Sequence, residues 1–264
     1  MHKFTLWEKN PPAGSADGFA PTLTYYPAEN KRGRGAVVIL PGGGYLLRSS
    51  YEGEGYALYL NGLGLDAFVL DYRVHPDLFP APLLDARRAL RYVRANADVY
   101  GIDPEKIAVM GSSAGGHLSA LLSTYRGNVE GEEYDDLREY DCLPSGQILC
   151  YPVIDRHGHP DSFTHLLGDR SDEMHEAVTP TLIADERTPP AFMWHTSSDP
   201  TVNVANTYRY AAKLGELGIP CELHVFPLGS HGLGLADEGE RDIPYVAKWS
   251  SLLADWLRLN GYLN

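Results

Sequence analysis

The chain has 264 residues, 44% of them hydrophobic and 22% charged, a usage that suits a globular domain with one large core and excludes a disordered or fibrous chain. Its 22 Lys and Arg against 35 Asp and Glu leave a net charge of −13 with no basic block. Such a field repels nucleic acid and anionic membranes, and favours neutral or cationic small molecules as partners. Three scattered cysteines, Cys142, Cys150 and Cys221, form no CxxC and no disulfide framework. The N-terminus has no signal-like apolar stretch and no window is long enough to span a bilayer, so the expectation is a cytoplasmic protein.

In chain order, short apolar runs alternate with segments of helical period, the pattern of a mostly parallel sheet covered by helices on both faces. Strands are expected at 22–28, 35–41, 67–74, 106–111, 147–153, 191–196 and 221–227, and helices at 51–64, 83–101, 115–125, 203–218 and 246–261. The strands are brief and rich in Val, Ile, Leu and Phe, as strands buried on both sides should be. In the second helix Leu83, Leu84, Ala86, Leu90 and Val93 recur at helical spacing, and Gly101 closes the segment. No Ser- or Gly-rich linker and no repeat divides the chain, so residues 1–264 read as one α/β domain. The polar stretch 156–190 interrupts the alternation and reads as an excursion over one end of the sheet, a lid-like insertion or a plain surface loop.

Between the fourth strand and the third helix, Gly111, Ser112, Ser113, Ala114 and Gly115 match G-x-S-x-G. A strand that turns sharply into a helix there leaves the central hydroxyl exposed above the sheet, with glycines where side chains would collide. A serine hydroxyl needs an adjacent base, itself oriented by a carboxylate, and on such a sheet these follow in the order Ser, acid, His. Asp199 lies just beyond one later strand and His231 in the glycine-rich loop beyond the next. Asp155, after the strand ending at Val153, is the rival acid. Gly42, Gly43 and Gly44 follow the second strand, where hydrolases of this kind keep an HGGG-type turn; Gly43 and Gly44, with Ala114, are the candidate oxyanion donors.

With these residues in place, "PGGGY", "DYRV", "GSSAGGHLSA", "TPPAFMWHTSSDPTVNV" and "GSHGLGLA" resemble the α/β-hydrolase carboxylesterases, and among them the acetyl esterases that act on acetylated xylan and xylo-oligosaccharides. The resemblance implies an α/β-hydrolase fold and a Ser113, His231, Asp199 relay. It also implies a small acyl group, acetyl above all, carried on a xylose-based or similar oligosaccharide. Feruloyl esters and the formyl amide of an arylformamidase are alternative substrates for the same machinery, and a noncatalytic binding protein is the alternative of another class. Pro41 stands where the HGGG pattern has histidine, which removes one polar support of that turn, and Pro200 follows Asp199 where an acidic or small residue is common.

Other signals lead elsewhere. Gly62, Gly64 and Ala67 satisfy G-x-G-x-x-A, but this segment leaves a helix and enters a strand, the reverse of a dinucleotide fingerprint. His157, His159, His165 and His175 lack HExxH or Cys/His pairing, so they read as loop residues that could contact substrate rather than metal ligands. His117 is expected to point away from the reaction, and Tyr72 and Arg73 to brace the fold. Tyr45 and Trp194 are the candidates for lining the pocket. The expected chemistry requires no metal, nucleotide or organic cofactor, and composition says nothing about an oligomer.

Overall fold

A computed structural model describes residues 1–264. In chain order the strands are β1 (His2–Thr5), β2 (Thr22–Tyr26), β3 (Ala36–Leu40), β4 (Asp66–Asp71), β5 (Ile107–Ser112), β6 (Gln147–Cys150), β7 (Ala191–Thr196) and β8 (Cys221–Phe226). The helices are α1 (Ser50–Leu63), α2 (Ala81–Ala95), α3 (Ala97–Tyr100), α4 (Ser113–Thr124), α5 (Pro160–Leu167), α6 (Ser171–Met174), α7 (Pro180–Ile183), α8 (Ala205–Glu216) and α9 (Pro244–Leu259). One eight-stranded sheet has the order β1-β2-β4-β3-β5-β6-β7-β8. β1 and β2 pair antiparallel at one edge, and β3 to β8 run parallel.

Residues of β3, β5, β6 and β7 are all buried, which is why these strands appear in sequence as unbroken apolar runs. Their two-residue period still sorts the side chains between two layers. Val38 and Leu40 join a core with Leu83, Leu90, Leu118 and Leu121 of α2 and α4, whereas Val37 and Ile39 join Tyr56, Leu60, Trp249 and Leu253 of α1 and α9. α8 covers the far end of the α2/α4 face, with Tyr210 and Leu214 against Leu149 and Met193.

All the expected strands and helices are present, with ends shifted by a few residues. The expected helix 83–101 divides at Asn96 into α2 and α3, and Gly101 ends it in the left-handed conformation at φ 66. β1 was not expected: its residues HKFT are mostly exposed at the sheet edge and carry no apolar alternation.

Tyr72 and Arg73 act as braces. The Tyr72 hydroxyl donates to the Pro41 carbonyl at 2.6 Å. The fully buried Arg73 guanidinium makes two bonds to Asp85, at 2.9 and 2.8 Å, and also donates to the carbonyls of Pro12 and Gly14, pinning the N-terminal segment. Arg87, Arg88 and Arg91 of α2 hold Glu132, Asp135 and Asp136, so the long connection before β6 is tied to the helix layer by ion pairs. No helix is long and apolar enough to cross a membrane.

Candidate active site

The carboxyl ends of the parallel strands share one edge of the sheet, the rim where ligands of open α/β sheets bind. β3 delivers the glycine turn to this rim, β5 delivers Ser113, β7 leads to Asp199 and β8 to His231. Ser113 follows the extended Ser112 and opens α4 at φ 53, a left-handed conformation that a side-chain-bearing residue rarely adopts. The flanking glycines are sterically required. A Cβ at Gly115 would sit 2.0 Å from the Leu40 carbonyl oxygen, and one at Gly111 would sit 2.2 Å from the Gly115 carbonyl oxygen.

The loops after β7 and β8 are clamped together. Thr196 and Ser198 both donate to the Gly229 carbonyl, at 2.9 and 3.1 Å, and the Gly229 N–H donates to Ser198 Oγ at 3.0 Å. This brings His231 Nδ1 to 2.6 Å from Asp199 Oδ2, and His231 Nε2 to 2.8 Å from Ser113 Oγ. An ionised carboxylate only accepts, so Nδ1 carries the proton and Nε2 accepts the bond from the serine hydroxyl. Burial pushes the Asp199 carboxyl up, but hydrogen bonds from His195, His231 and the Val202 N–H outweigh it and hold the group well below the usual carboxylate range. Asp155 is engaged elsewhere, accepting from Arg209 at 2.9 and 2.7 Å and from the Gly158 N–H.

His195, which the sequence reading passed over, is a second imidazole on Asp199. Its Nε2 lies 3.1 Å from Asp199 Oδ2 and 3.0 Å from the Val202 carbonyl, both acceptors, so Nε2 carries a proton, and Nδ1 lies 2.7 Å from the Thr207 hydroxyl. The Thr201 and Val202 N–H groups donate to the other oxygen, Oδ1, at 2.8 and 2.9 Å.

Gly43 and Gly44 stand at φ 137 and 64, and their N–H groups donate to no protein acceptor. The Ala114 N–H, in the first turn of α4, likewise has no intrahelical partner. Gly42 differs: its N–H is 2.8 Å from Glu52 Oε2. With the Tyr72 hydroxyl on Pro41, this supports the turn where the PGGG variant lacks its histidine.

Glu52, also passed over, is almost wholly buried under the rim. Its Oε1 accepts from the Tyr151 hydroxyl at 2.7 Å. The Tyr151 oxygen in turn accepts from the Gly234 N–H, at 2.9 Å, in the His231 loop. The Tyr56 hydroxyl lies 3.2 Å from Tyr151 and 2.9 Å from Ser112 Oγ. Burial pushes the Glu52 carboxyl up, against the bonds from Tyr151 and Gly42.

Tyr45 and Trp194, expected to line the pocket, are 1% and 0% exposed and offer no surface to a substrate. The Tyr45 hydroxyl turns inward to His117 Nδ1 at 2.7 Å, and Trp194 stacks on Trp249 with ring centroids 4.9 Å apart. His117, expected to point away from the reaction, is completely buried, its Nε2 2.8 Å from the Val178 carbonyl, and burial pushes it down to about 4.

The excursion 156–190 carries α5, α6 and α7 and touches the glycine turn, because His165 Nδ1 lies 2.8 Å from the Gly44 carbonyl. His159 caps α5 by accepting from the Ser162 N–H. Burial first, and then the neighbouring imidazoles of His231 and His165, hold His159 below the usual histidine range against the pull of Asp161. His175 lies against Arg156 instead. A cavity of about 710 Å³ is lined by Arg87, Arg91, Leu122, Tyr125 and Arg126 at the opposite end of α4 from Ser113.

Residues 24–214 match the BD-FAE family. The chain is 37% identical over 243 residues to Endo-1,4-beta-xylanase B of Butyrivibrio fibrisolvens, covering 88% of this chain and 38% of that one. It is 34% identical over 229 residues to the Acetylxylan esterase of Xylanibacter ruminicola, covering 83% and 45%. The chain thus spans less than half the length of these curated relatives. The crystal structure of an acetyl ester-xyloside bifunctional hydrolase from Caldicellulosiruptor lactoaceticus superposes with a TM-score of 0.92 at 39% identity, covering 100% of this chain and 97% of that one. The rim geometry and these likenesses agree: the chain belongs to the BD-FAE family of α/β hydrolases.

Proposed function

We propose that the chain is a serine carboxylesterase that removes short acyl groups, acetyl above all, from acetylated xylo-oligosaccharides or related sugars. The observation that carries the reading is the hydrogen-bonded relay from Ser113 through His231 to Asp199, set beside the unpartnered N–H groups of Gly43 and Gly44. In this reading His231 Nε2 takes the Ser113 proton as Oγ bonds to the acyl carbon. The carbonyl π pair moves to oxygen, where the N–H groups of Gly43, Gly44 and Ala114 receive it. Nε2–H then protonates the departing sugar oxygen, the acyl group stays on Ser113, and water repeats the sequence to release the acid. Asp199 stays ionised throughout, keeping the proton of His231 on Nδ1 and stabilising the imidazolium.

The names of the relatives support the substrate class. The insertion 156–190 is the proposed wall on the alcohol side, since His165 reaches the Gly44 carbonyl and His159 lies within the electrostatic reach of His231. Acetate release from acetylated xylo-oligosaccharides, measured beside acid release from feruloylated sugars and deformylation of N-formylkynurenine, tests the reading. Acetate should be released fastest, and p-nitrophenyl acetate should be preferred to the octanoate. Preference for the feruloyl ester, the formyl amide or the octanoate would overturn the small-acyl assignment.

A further inference from the structure

Glu52 joins parts of the site that the chain otherwise builds from separate strands. Its Oε2 accepts from the Gly42 N–H at the base of the oxyanion turn, while Oε1 accepts from the Tyr151 hydroxyl. The Tyr151 oxygen receives the Gly234 N–H of the histidine loop, and its ring packs edge-on against His231 with centroids 5.1 Å apart. Through Tyr56 the same network reaches Ser112, the residue before the nucleophile. The carboxyl is too deeply buried to meet substrate, and leaving a buried polar group in an apolar layer is costly unless its partners are the point of it. Gly42 admits nothing larger, since a Cβ there would sit 2.6 Å from Glu52 Oε2 and 3.1 Å from Ser113 Cβ.

We propose that Glu52 is a positioning residue that fixes the oxyanion turn and the His231 loop in one register through the Gly42 N–H and the Tyr151 hydroxyl. The inference rests on the serine-esterase reading above. A turn that drifts by about 1 Å loses on the order of a hundredfold in rate, because the oxyanion donors must already lie where charge develops. Ground-state binding of a small ester uses none of these donors at full strength, so the loss falls on kcat rather than KM.

The test compares E52Q, E52A and Y151F with the unaltered protein on p-nitrophenyl acetate, with active sites counted by a fluorophosphonate. The Gln carbonyl still accepts from Gly42 and its amide can donate to Tyr151, so E52Q should keep kcat per site within about threefold. E52A should lose about ten- to a hundredfold in kcat per site, with KM unchanged. Its affinity for phenylboronic acid, a mimic of the tetrahedral state, should fall by the same factor. Y151F, which leaves no cavity, should lose kcat in the same direction and keeps the question decidable should E52A not fold. Unchanged kcat per titrated site in E52A or Y151F would overturn the proposal, and so would a loss in E52Q equal to that in E52A. An unaltered protein without activity on p-nitrophenyl acetate would instead refute the serine-esterase reading itself.

Discussion

His231 and Asp199 meet at 2.6 Å across 32 residues of chain, with α8 and β8 between them. The contact exists because β7 and β8 are adjacent parallel strands whose carboxyl ends open onto one rim, with Gly229 stitching their loops together. Asp199→Asn should leave the Thr201 and Val202 N–H groups bonded to Oδ1 while removing the acceptor that keeps the His231 proton on Nδ1. We expect kcat to fall by roughly 10³–10⁴ with little change in melting temperature, measured by steady-state kinetics and thermal unfolding. A loss below tenfold would mean that the carboxylate does not orient this imidazole.

The same carboxylate oxygen is shared with His195, which hangs from Thr207 and is completely buried. A hydrogen bond to a charged group contributes about 1.5–3 kcal/mol. His195→Gln should therefore lower kcat by about ten- to a hundredfold without raising KM. Steady-state kinetics of the variant with unchanged kcat would assign His195 to packing alone.

The glycines flanking Ser113 differ sharply from glycines in open space. Gly115→Ala must push a Cβ into the Leu40 and Pro41 backbone, and should cost on the order of 3 kcal/mol while displacing Ser113. Gly62→Ala, on the exposed side of α1 with nothing within 4 Å of the added carbon, should be neutral or stabilise by up to about 1 kcal/mol. Urea unfolding of both variants checks the contrast, and equal effects would contradict it.

His117 makes stability depend on pH. Burial lowers it to about 4, below the 6.5 of an unfolded chain, so the unfolded state binds a proton that the folded state refuses. Its contribution is complete above pH 6.5 and is lost as pH falls through 4, by up to about 3 kcal/mol over that window. His117→Gln should flatten the stability curve between those pH values, measured by denaturant unfolding at several pH values. An unchanged slope would mean that His117 takes its proton without unfolding the chain.

Much of this was legible from residues alone, for identifiable reasons. Strands such as AVVIL and IAVMG are buried on both faces and so carry continuous apolar runs, and the order Ser113, Asp199, His231 follows the strands that end at one rim. β1 escaped because an edge strand exposed on most positions needs no apolar pattern. Tyr45 and Trp194 were misplaced because nearness in sequence to the rim does not fix the direction of a ring. In β7 the two-residue period sends Phe192 and Trp194 toward α9 and Met193 toward α8, away from the substrate edge. Glu52 of α1 meets Tyr151, just beyond β6, and His195 of β7 meets Asp199, and both contacts exist only once the sheet has formed. Their one sequence-level sign is a polar residue within a run that is otherwise core, as at His195 in AFMWHT.

The most direct measurement is intact-mass and peptide mapping of the folded protein after reaction with a fluorophosphonate. One adduct is expected, on Ser113, absent from Ser113→Ala and formed at least a hundredfold more slowly in His231→Ala. No adduct on folded protein, or an adduct on another residue that survives Ser113→Ala, would contradict it.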